Sequence, residues 1–350
     1  MALVERIEDL SIAASLASRA TQDPGRTFLL HQDRPITYGQ VESQAEALAA
    51  AFRSLGIEAG DRVALILPPC PEFVVSLFAA AKLGAVVVPL NPHLTKPELQ
   101  YMLRHSETAL AVSVEEHVGE DFLTIFDELL PQLPELQYVV TVGKEDLWYD
   151  DQIFQFEDLL SSGEGRDYPA GEADPEGDTF AILYTAGTMG KPKGVELSQA
   201  NLLSVAANTV QFLELGSEDR VIGVSGFFHV FGLGIGILGS VLSGSTLILQ
   251  SGFGAAETLA LIQRHRATVH YGLPTLFSTG LSEREETSLD LSSLRLALAA
   301  GGPASDDLRG AVERGIVADF RVAYSLTEAA SVVSMTHPDD PPEKRHQTVG

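Results

Sequence analysis

Short unbroken apolar runs alternate along this chain with longer segments whose apolar positions recur at helical spacing. Runs at 63–67, 85–90, 109–112 and 138–142 predict strands, the first closed by Pro68-Pro69, with helices over 72–82 and 96–105 between them. A stretch rich in Gly, Ser, Asp and Glu over 161–177, with Pro169 and Pro175, reads as a linker. The alternation then resumes, with strands at 180–184, 221–224, 246–249, 268–270, 294–298 and 320–322 and helices over 256–265 and 305–313. Strands that are apolar throughout, rather than on alternate residues, are buried on both faces. The pattern therefore predicts an α/β fold of two lobes, each a mostly parallel sheet covered by helices. No short fixed repeat and no coiled-coil heptad is present.

One segment tests the membrane alternative. Residues 221–256 contain no Asp, Glu, Lys or Arg, a length that could span a bilayer. Seven glycines between Gly223 and Gly244, a strand-like 246–249 and the lack of flanking basic anchors favour a buried strand, helix and strand instead. Forty-eight acidic against 23 basic residues give a net charge of -25, which excludes a nucleic-acid partner relying on a basic surface. Any bound phosphate must then be held by local positive features. The single cysteine, Cys70, rules out an intrachain disulfide and fits a reducing compartment. The first residues lack the basic-then-apolar order of a signal peptide, so the expected location is cytoplasmic.

Four stretches carry candidate chemistry. The run 184–194 reads Tyr-Thr-Ala-Gly-Thr-Met-Gly-Lys-Pro-Lys-Gly, after an apolar strand and before Ser198, which is placed to cap a helix starting near Gln199. Glycines admit an anion to the backbone, free N–H groups point at it, and lysine adds charge. The spacing is not that of a Walker loop, because Pro192 interrupts it and Lys193 precedes Gly194. His229 stands in Phe227-Phe228-His229-Val230-Phe231-Gly232 at the C-terminal end of a strand, where ligands collect in open α/β sheets, although a packed core histidine fits the same pattern. Gly301-Gly302-Pro303 follows another strand and lets a flat ligand, or merely a tight turn, approach the backbone. Tyr324-Ser325-Leu326-Thr327-Glu328 follows a third. It offers a ring to stack, a hydroxyl and a carboxylate, or else a helix start.

In this order and spacing the four stretches resemble the signatures of the adenylate-forming superfamily, which includes acyl-CoA synthetases, luciferases and the adenylation domains of peptide synthetases. Gly272-Leu273-Pro274-Thr275 also resembles its Val-Pro-Thr segment. The resemblance covers essentially the whole chain as the family's large N-terminal domain. It implies two stacked α/β lobes, about 60–175 and about 1–55 plus 178–350. It further implies activation of a hydrophobic carboxylic acid, fatty or bulky, by ATP and Mg²⁺ to an acyl-adenylate, followed by thioester formation with CoA. Thr185, Gly187, Thr188, Gly190 and Lys193 would hold phosphates. Gly301, Gly302, Pro303, Tyr324, Ser325 and Thr327 would hold the nucleotide, and Glu328 would hold Mg²⁺. His229 would flank the reacting carboxylate, with Phe231, Gly232, Gly272, Gly301 and Gly302 around the acyl group. His229, Thr185, Lys193 and Glu328 would be the catalytic set.

The departures are specific. Ala186 and Met189 stand where many members have hydroxyl residues, Ser325 replaces a glycine, and Gln199 replaces a frequent histidine. The family continues beyond the point matched by Gly350 with a C-terminal lid domain bearing a lysine for adenylation, so this chain is expected to be poorly active alone. Two alternatives accompany that reading: a nucleotide- or acyl-binding module with little catalysis, and an adenylating ligase that loads a carrier-protein thiol.

Overall fold

The structure is a computed structural model that describes residues 11–145, 151–185, 190–224, 226–250 and 252–350. In chain order its strands are β1 (Thr27–His31), β2 (Arg34–Thr37), β3 (Arg62–Ile66), β4 (Val86–Pro89), β5 (Thr108–Val114), β6 (Glu116–His117), β7 (Glu120–Asp121), β8 (Tyr138–Val142), β9 (Ile153–Gln155), β10 (Thr179–Thr185), β11 (Lys193–Ser198), β12 (Arg220–Val224), β13 (Thr246–Leu249), β14 (Val269–Gly272), β15 (Leu296–Ala299), β16 (Phe320–Leu326) and β17 (Ser331–Met335). Helices separate most of them, as an α/β fold requires.

One compact unit comprises residues 11–26 with Thr37–Asn201. Its seven-stranded sheet runs β11-β10-β4-β3-β5-β8-β9, parallel except for the β10–β11 pair. Ala64, Ile66, Val88, Ala111 and Val139 on the strands pack against Leu99, Met102, Leu103, Phe122 and Phe126 on covering helices. Each large apolar side chain buried in such a layer contributes about 1.5–3 kcal/mol.

The other unit comprises Thr27–Ile36 and Leu202–Gly350. Its eight-stranded sheet runs β17-β16-β15-β14-β12-β13-β1-β2, with β1, β13, β12, β14, β15 and β16 parallel and β17 antiparallel to β16. Ile222, Ile248, Ala297, Phe320 and Val322 meet Leu259, Ile262, Phe277 and Val312 from its helices.

The division differs from the sequence expectation in three places. Segments 11–26, 37–55 and 178–201 belong with 60–175, because helices Ile12–Gln22 and Tyr38–Ser54 pack on helix Pro71–Leu83, helix Tyr38–Ser54 also packs on helix Phe156–Gly163, and β10 joins the seven-stranded sheet beside β4. The stretch read as a linker is no free tether. It starts inside helix Phe156–Gly163, and Gly171 lies so tightly on the end of helix Pro71–Leu83 that a Cβ there would sit 1.9 Å from the Leu83 carbonyl oxygen. The uncharged 221–256 segment folds as β12, a π-helix at Gly232–Leu238, a helix at Gly239–Ser243 and β13. Among the described residues no helix is long and apolar enough to cross a membrane.

Candidate functional site

The glycine-rich run does not empty into a helix. Its described ends belong to the antiparallel strands β10 and β11, and helix Gln199–Phe212 begins only after β11. Ser198 does cap that helix, accepting from the Asn201 N–H at 3.2 Å while its own N–H donates to Asn201 Oδ1 at 3.1 Å. Gln199, in the position of the family's frequent histidine, is buried and accepts from the Ile12 N–H at 2.8 Å. The helix N-terminus is therefore six residues from the loop and adds no dipole to it.

Thr185 and Lys193 are cross-strand partners at the mouth of the hairpin. Directly opposed residues on antiparallel strands present their side chains on one face, which places a hydroxyl and an ammonium together. Lys193 and Gly190 are exposed and Thr185 is half-buried. Ala186, Gly187, Thr188 and Met189 lie outside the described residues.

Helix Lys96–His105 grips the loop's outgoing flank, a role the sequence reading missed. Tyr101 Oη donates to the Pro192 carbonyl at 3.2 Å, and Lys191 Nζ lies 5.0 Å from the Tyr101 ring centroid. On the incoming strand, Tyr184 Oη donates to the Met102 carbonyl at 3.1 Å and lies 2.8 Å from His105 Nδ1. Burial pushes the Tyr184 phenol up to about 12, so it stays protonated. The aromatic and basic residues of 96–105 were read only as an amphipathic helix, and nothing in a one-dimensional pattern marks which helix face meets a hairpin.

The remaining candidates collect at the C-terminal ends of four adjacent parallel strands. Val224 of β12 is level with Gly272 of β14, which is level with Ala299 of β15, which is level with Val322 of β16. The His229 segment, Leu273-Pro274, the Gly301–Pro303 turn and Tyr324 therefore leave the sheet along one edge, where open α/β sheets bind ligands. Gly301 has φ +84°, and a Cβ there would stand 2.9 Å from a Leu273 methyl, so both conformation and space call for glycine. Gly301, Gly302 and Pro303 are exposed, whereas Gly272, Phe231 and Gly232 are buried.

His229 sits in the turn before the π-helix, and its Nδ1 accepts from the Phe231 N–H at 3.2 Å. The neutral ring thus carries its proton on Nε2. Burial holds its pKa below the ordinary histidine value, which keeps the imidazole neutral near pH 7. A neutral ring with Nε2–H free can donate to a carboxylate oxygen without placing a fixed cation in the site.

The helix that follows Tyr324 and Ser325 is only a single 3-10 turn. They lie within β16, at a register shift opposite β17, and Thr327–Ala329 form the 3-10 turn between the two strands. Such bulges re-aim side chains beside functional sites. Ala330 and Ser331 follow with φ of 58° and 124°, conformations that cost of order 1–3 kcal/mol each. Tyr324 is 45% exposed, Glu328 is exposed and Thr327 half-buried. Among the described residues, no hydrogen bond or ion pair occupies the side chains of Thr185, Lys193, Tyr324, Thr327 or Glu328. Ser325 Oγ, where the family has glycine, is buried without a partner.

No three His, Cys, Asp or Glu side chains converge among the described residues. Glu328 is thus a lone carboxylate, a donor set that fits Mg²⁺ brought in by nucleotide phosphates rather than by a protein cage. A groove of about 820 Å³ between helix Tyr38–Ser54 and segment 163–170 includes Glu46, Glu164 and Asp167 and none of the motif residues. Its three carboxylates outnumber the one guanidinium of Arg166, a poor match for phosphate.

Comparison with known proteins identifies the family and the fold. The model for the AMP-binding enzyme family matches residues 16–350. A feruloyl-CoA synthase of Amycolatopsis is 32% identical over 313 residues, which cover 89% of this chain and 58% of that protein. The anthranilate CoA ligase AuaEII, solved with anthranoyl-AMP, superposes with a TM-score of 0.89 at 26% identity over 98% of this chain and 66% of its own. The N-terminal domain of FACL13 from Mycobacterium tuberculosis gives 0.84 at 26% identity, over 96% and 80%. The chain thus spans less than two thirds of the curated relative's length. This chain belongs to the AMP-binding enzyme family, and its fold is that of the N-terminal domain of adenylate-forming enzymes.

Proposed function

We propose that the chain binds ATP and a hydrophobic carboxylic acid and joins them as an acyl-adenylate, which the whole protein passes to the thiol of CoA. The carboxylate oxygen attacks the α-phosphorus, the bond to the bridging oxygen breaks, and pyrophosphate leaves. No protein nucleophile is needed. The chemistry asks only for positioning and for stabilisation of charge on the phosphates.

Lys193, Thr185 and Thr188, with the N–H groups of Gly187 and Gly190, take the β- and γ-phosphates. Thr327 takes the α-phosphate, and Tyr324 stacks on adenine over the Gly301–Pro303 turn beside Ser325. Glu328 holds Mg²⁺, which when bound offsets phosphate charge. The Nε2–H of His229 orients the carboxylate, and Phe231, Gly232, Gly272, Gly301 and Gly302 surround the acyl group. The observation that carries the reading is the strand-end edge of β12, β14, β15 and β16, with its neutral histidine and unpaired Tyr324, Thr327 and Glu328. The relatives named for feruloyl and anthranilate thioesters support the acid and CoA assignments. Full turnover calls for the C-terminal lid of the family.

Thermal unfolding with ATP, Mg²⁺ and a panel of acids, and with acyl-sulfamoyl adenosines, tests the proposal. A ligand at 100 times its dissociation constant adds about 2.7 kcal/mol. If neither acid nor adenylate analogue moves the melting point, the reading fails. The loop's Ala186 and Met189 support a second reading, a binding module with little catalysis. ATP–pyrophosphate exchange by the intact protein would remove that one. Thioester assays with CoA and with a carrier protein separate the two acceptors.

A further inference from the structure

Two turns at one end of the seven-stranded sheet bring together a pair of imidazoles that none of the motifs uses. Strands β4 and β5 flank β3. The chain leaves β4 at Pro89 and turns through 91–95, and it leaves β5 at Val114 for the β6–β7 hairpin. The first turn carries His93, which is exposed, and β6 carries His117, which is half-buried. Their ring centroids stand 4.8 Å apart, with the rings tilted by 54°.

Each turn is fixed by its own backbone. Asn91 Oδ1 accepts from the His93 N–H at 3.0 Å, and the Asn91 carbonyl accepts from the Leu94 N–H at 3.1 Å. His117 pairs with Glu120 across Val118-Gly119, whose φ of 50° and 82° are those of a two-residue type I′ hairpin turn. Both rings thus hang from tight turns, and little chain freedom remains to be lost when a ligand joins them. Two imidazoles at a wet surface gain little from each other: charged they repel, and neutral they share at most one hydrogen bond. Their spacing does suit one shared metal ion. A ring bound through nitrogen at about 2.0–2.1 Å has its centroid about 3.2 Å from the metal. Two such rings, at ligand angles of about 90° to 109°, stand about 4.5–5.2 Å apart, which brackets the observed separation.

We propose that His93 and His117 form a two-imidazole site for a divalent ion of the zinc class, which ties the 91–95 turn to the β6–β7 hairpin. Among the described residues no third His, Cys, Asp or Glu converges with them, so water completes the coordination and the ion is exchangeable. Imidazole suits Zn²⁺ and Ni²⁺, whereas Mg²⁺ demands oxygen, so the site discriminates against the ion assigned to Glu328. The exposed carboxylates of Glu116 and Glu120, in a chain of net charge -25, draw cations towards it. The tied turn leads directly into helix Lys96–His105, whose last two turns bond the flanks of the 184–194 run. The inference does not depend on the adenylation reading.

Calorimetric titration of the chelator-treated chain with ZnCl₂, NiCl₂ and MgCl₂ tests it. The parent should bind one more Zn²⁺ or Ni²⁺ than the double variant His93→Gln with His117→Gln, and no more Mg²⁺. Each single variant should weaken Zn²⁺ binding about tenfold or more, since even a group behind a metal ligand is worth about 10–100-fold. His337→Gln, which alters an exposed histidine outside the pair, should leave the titration as it was. A second measurement needs no variant: Zn²⁺ should slow amide exchange in 91–95 and in 116–121 together. Equal Zn²⁺ binding by parent and double variant overturns the inference. So does Mg²⁺ binding as tight as that of Zn²⁺, or slowed exchange in only one of the two turns or in neither. Each of these results leaves the pair a plain ring contact.

Discussion

Each of the two large sheets carries an antiparallel hairpin bearing candidate chemistry, and the two hairpins are held in opposite ways. The β10–β11 hairpin is fixed from outside. Tyr101 and Tyr184 bond it to helix Lys96–His105, and Lys191 rests on an aromatic ring. The β16–β17 hairpin is shaped from within by a register shift, a 3-10 turn, and positive φ at Ala330 and Ser331. An antiparallel strand added to a parallel sheet turns the chain back at the ligand-binding edge and so presents a loop there. In the first hairpin neighbouring side chains hold the described flanks, whereas in the second the backbone itself takes up unusual conformations.

The largest expected effect asks whether both hairpins take part in one reaction. Lys193→Ala on the first and Glu328→Gln on the second should each lower ATP–pyrophosphate exchange by the intact protein by about 10²–10³, the usual loss when one group stabilising developing charge is removed. A drop for only one of them would confine the chemistry to that hairpin and end the parallel.

The second separates the units by acid. His270 is buried in the unit of the β16–β17 hairpin, and burial lowers its pKa from 6.5 to about 4, opposed by its contact with the Ile222 carbonyl. Its folded pKa is depressed, so below pH 6.5 the unfolded chain binds the proton first. The associated stability is complete above that pH and is lost as pH falls towards 4. The loss amounts to about 3 kcal/mol, at 1.36 kcal/mol for each pH unit. Urea titrations at pH 7 and pH 4 should show it, and His270→Phe, which keeps a ring against Phe277, should be correspondingly less acid-sensitive. Hydrogen exchange should place the loosening in β12, β14 and β15 before β3, β4 and β5. Equal acid loss in the variant would discard this cause.

What the sequence made legible follows from the same contrast. Strands such as 138–142 and 246–249 matched the structure because burial on both faces writes an unbroken apolar run. The strand-end motifs at His229, Gly301 and Tyr324 were legible because their residue types are tied to a strand just before them. The hairpins were not. β11 reads Lys-Gly-Val-Glu-Leu-Ser, with only its last two residues buried, so a solvent-facing edge leaves little apolar signal. β17 is broken by half-buried positions in the same way. The first strands, β1 and β2, went unread because β1 pairs with β13, more than two hundred residues away, a partner no local pattern can reveal. Tyr101 was missed for a related reason, since its contacts with Pro192 and Lys191 come from neighbours some ninety residues away in sequence.

The smallest effect tests whether the outer grip on the first hairpin matters. Tyr101→Phe removes one neutral hydrogen bond, to the Pro192 carbonyl, and keeps the ring beneath Lys191. A bond of this kind is worth about 0.5–1.5 kcal/mol, so ATP affinity should fall by up to about tenfold. Tyr101→Leu also removes the cation–π contact, adding about 0.5–1 kcal/mol at an exposed site. Because Tyr101 touches none of the side chains proposed to contact the reacting groups, the loss should appear as weaker ATP binding and faster amide exchange in β11, with the rate at saturating ATP unchanged. A fall in that rate with unchanged affinity would mean that Tyr101 acts on the chemistry itself. Unchanged exchange in β11 would mean that this hairpin, like the other, is held by its own backbone.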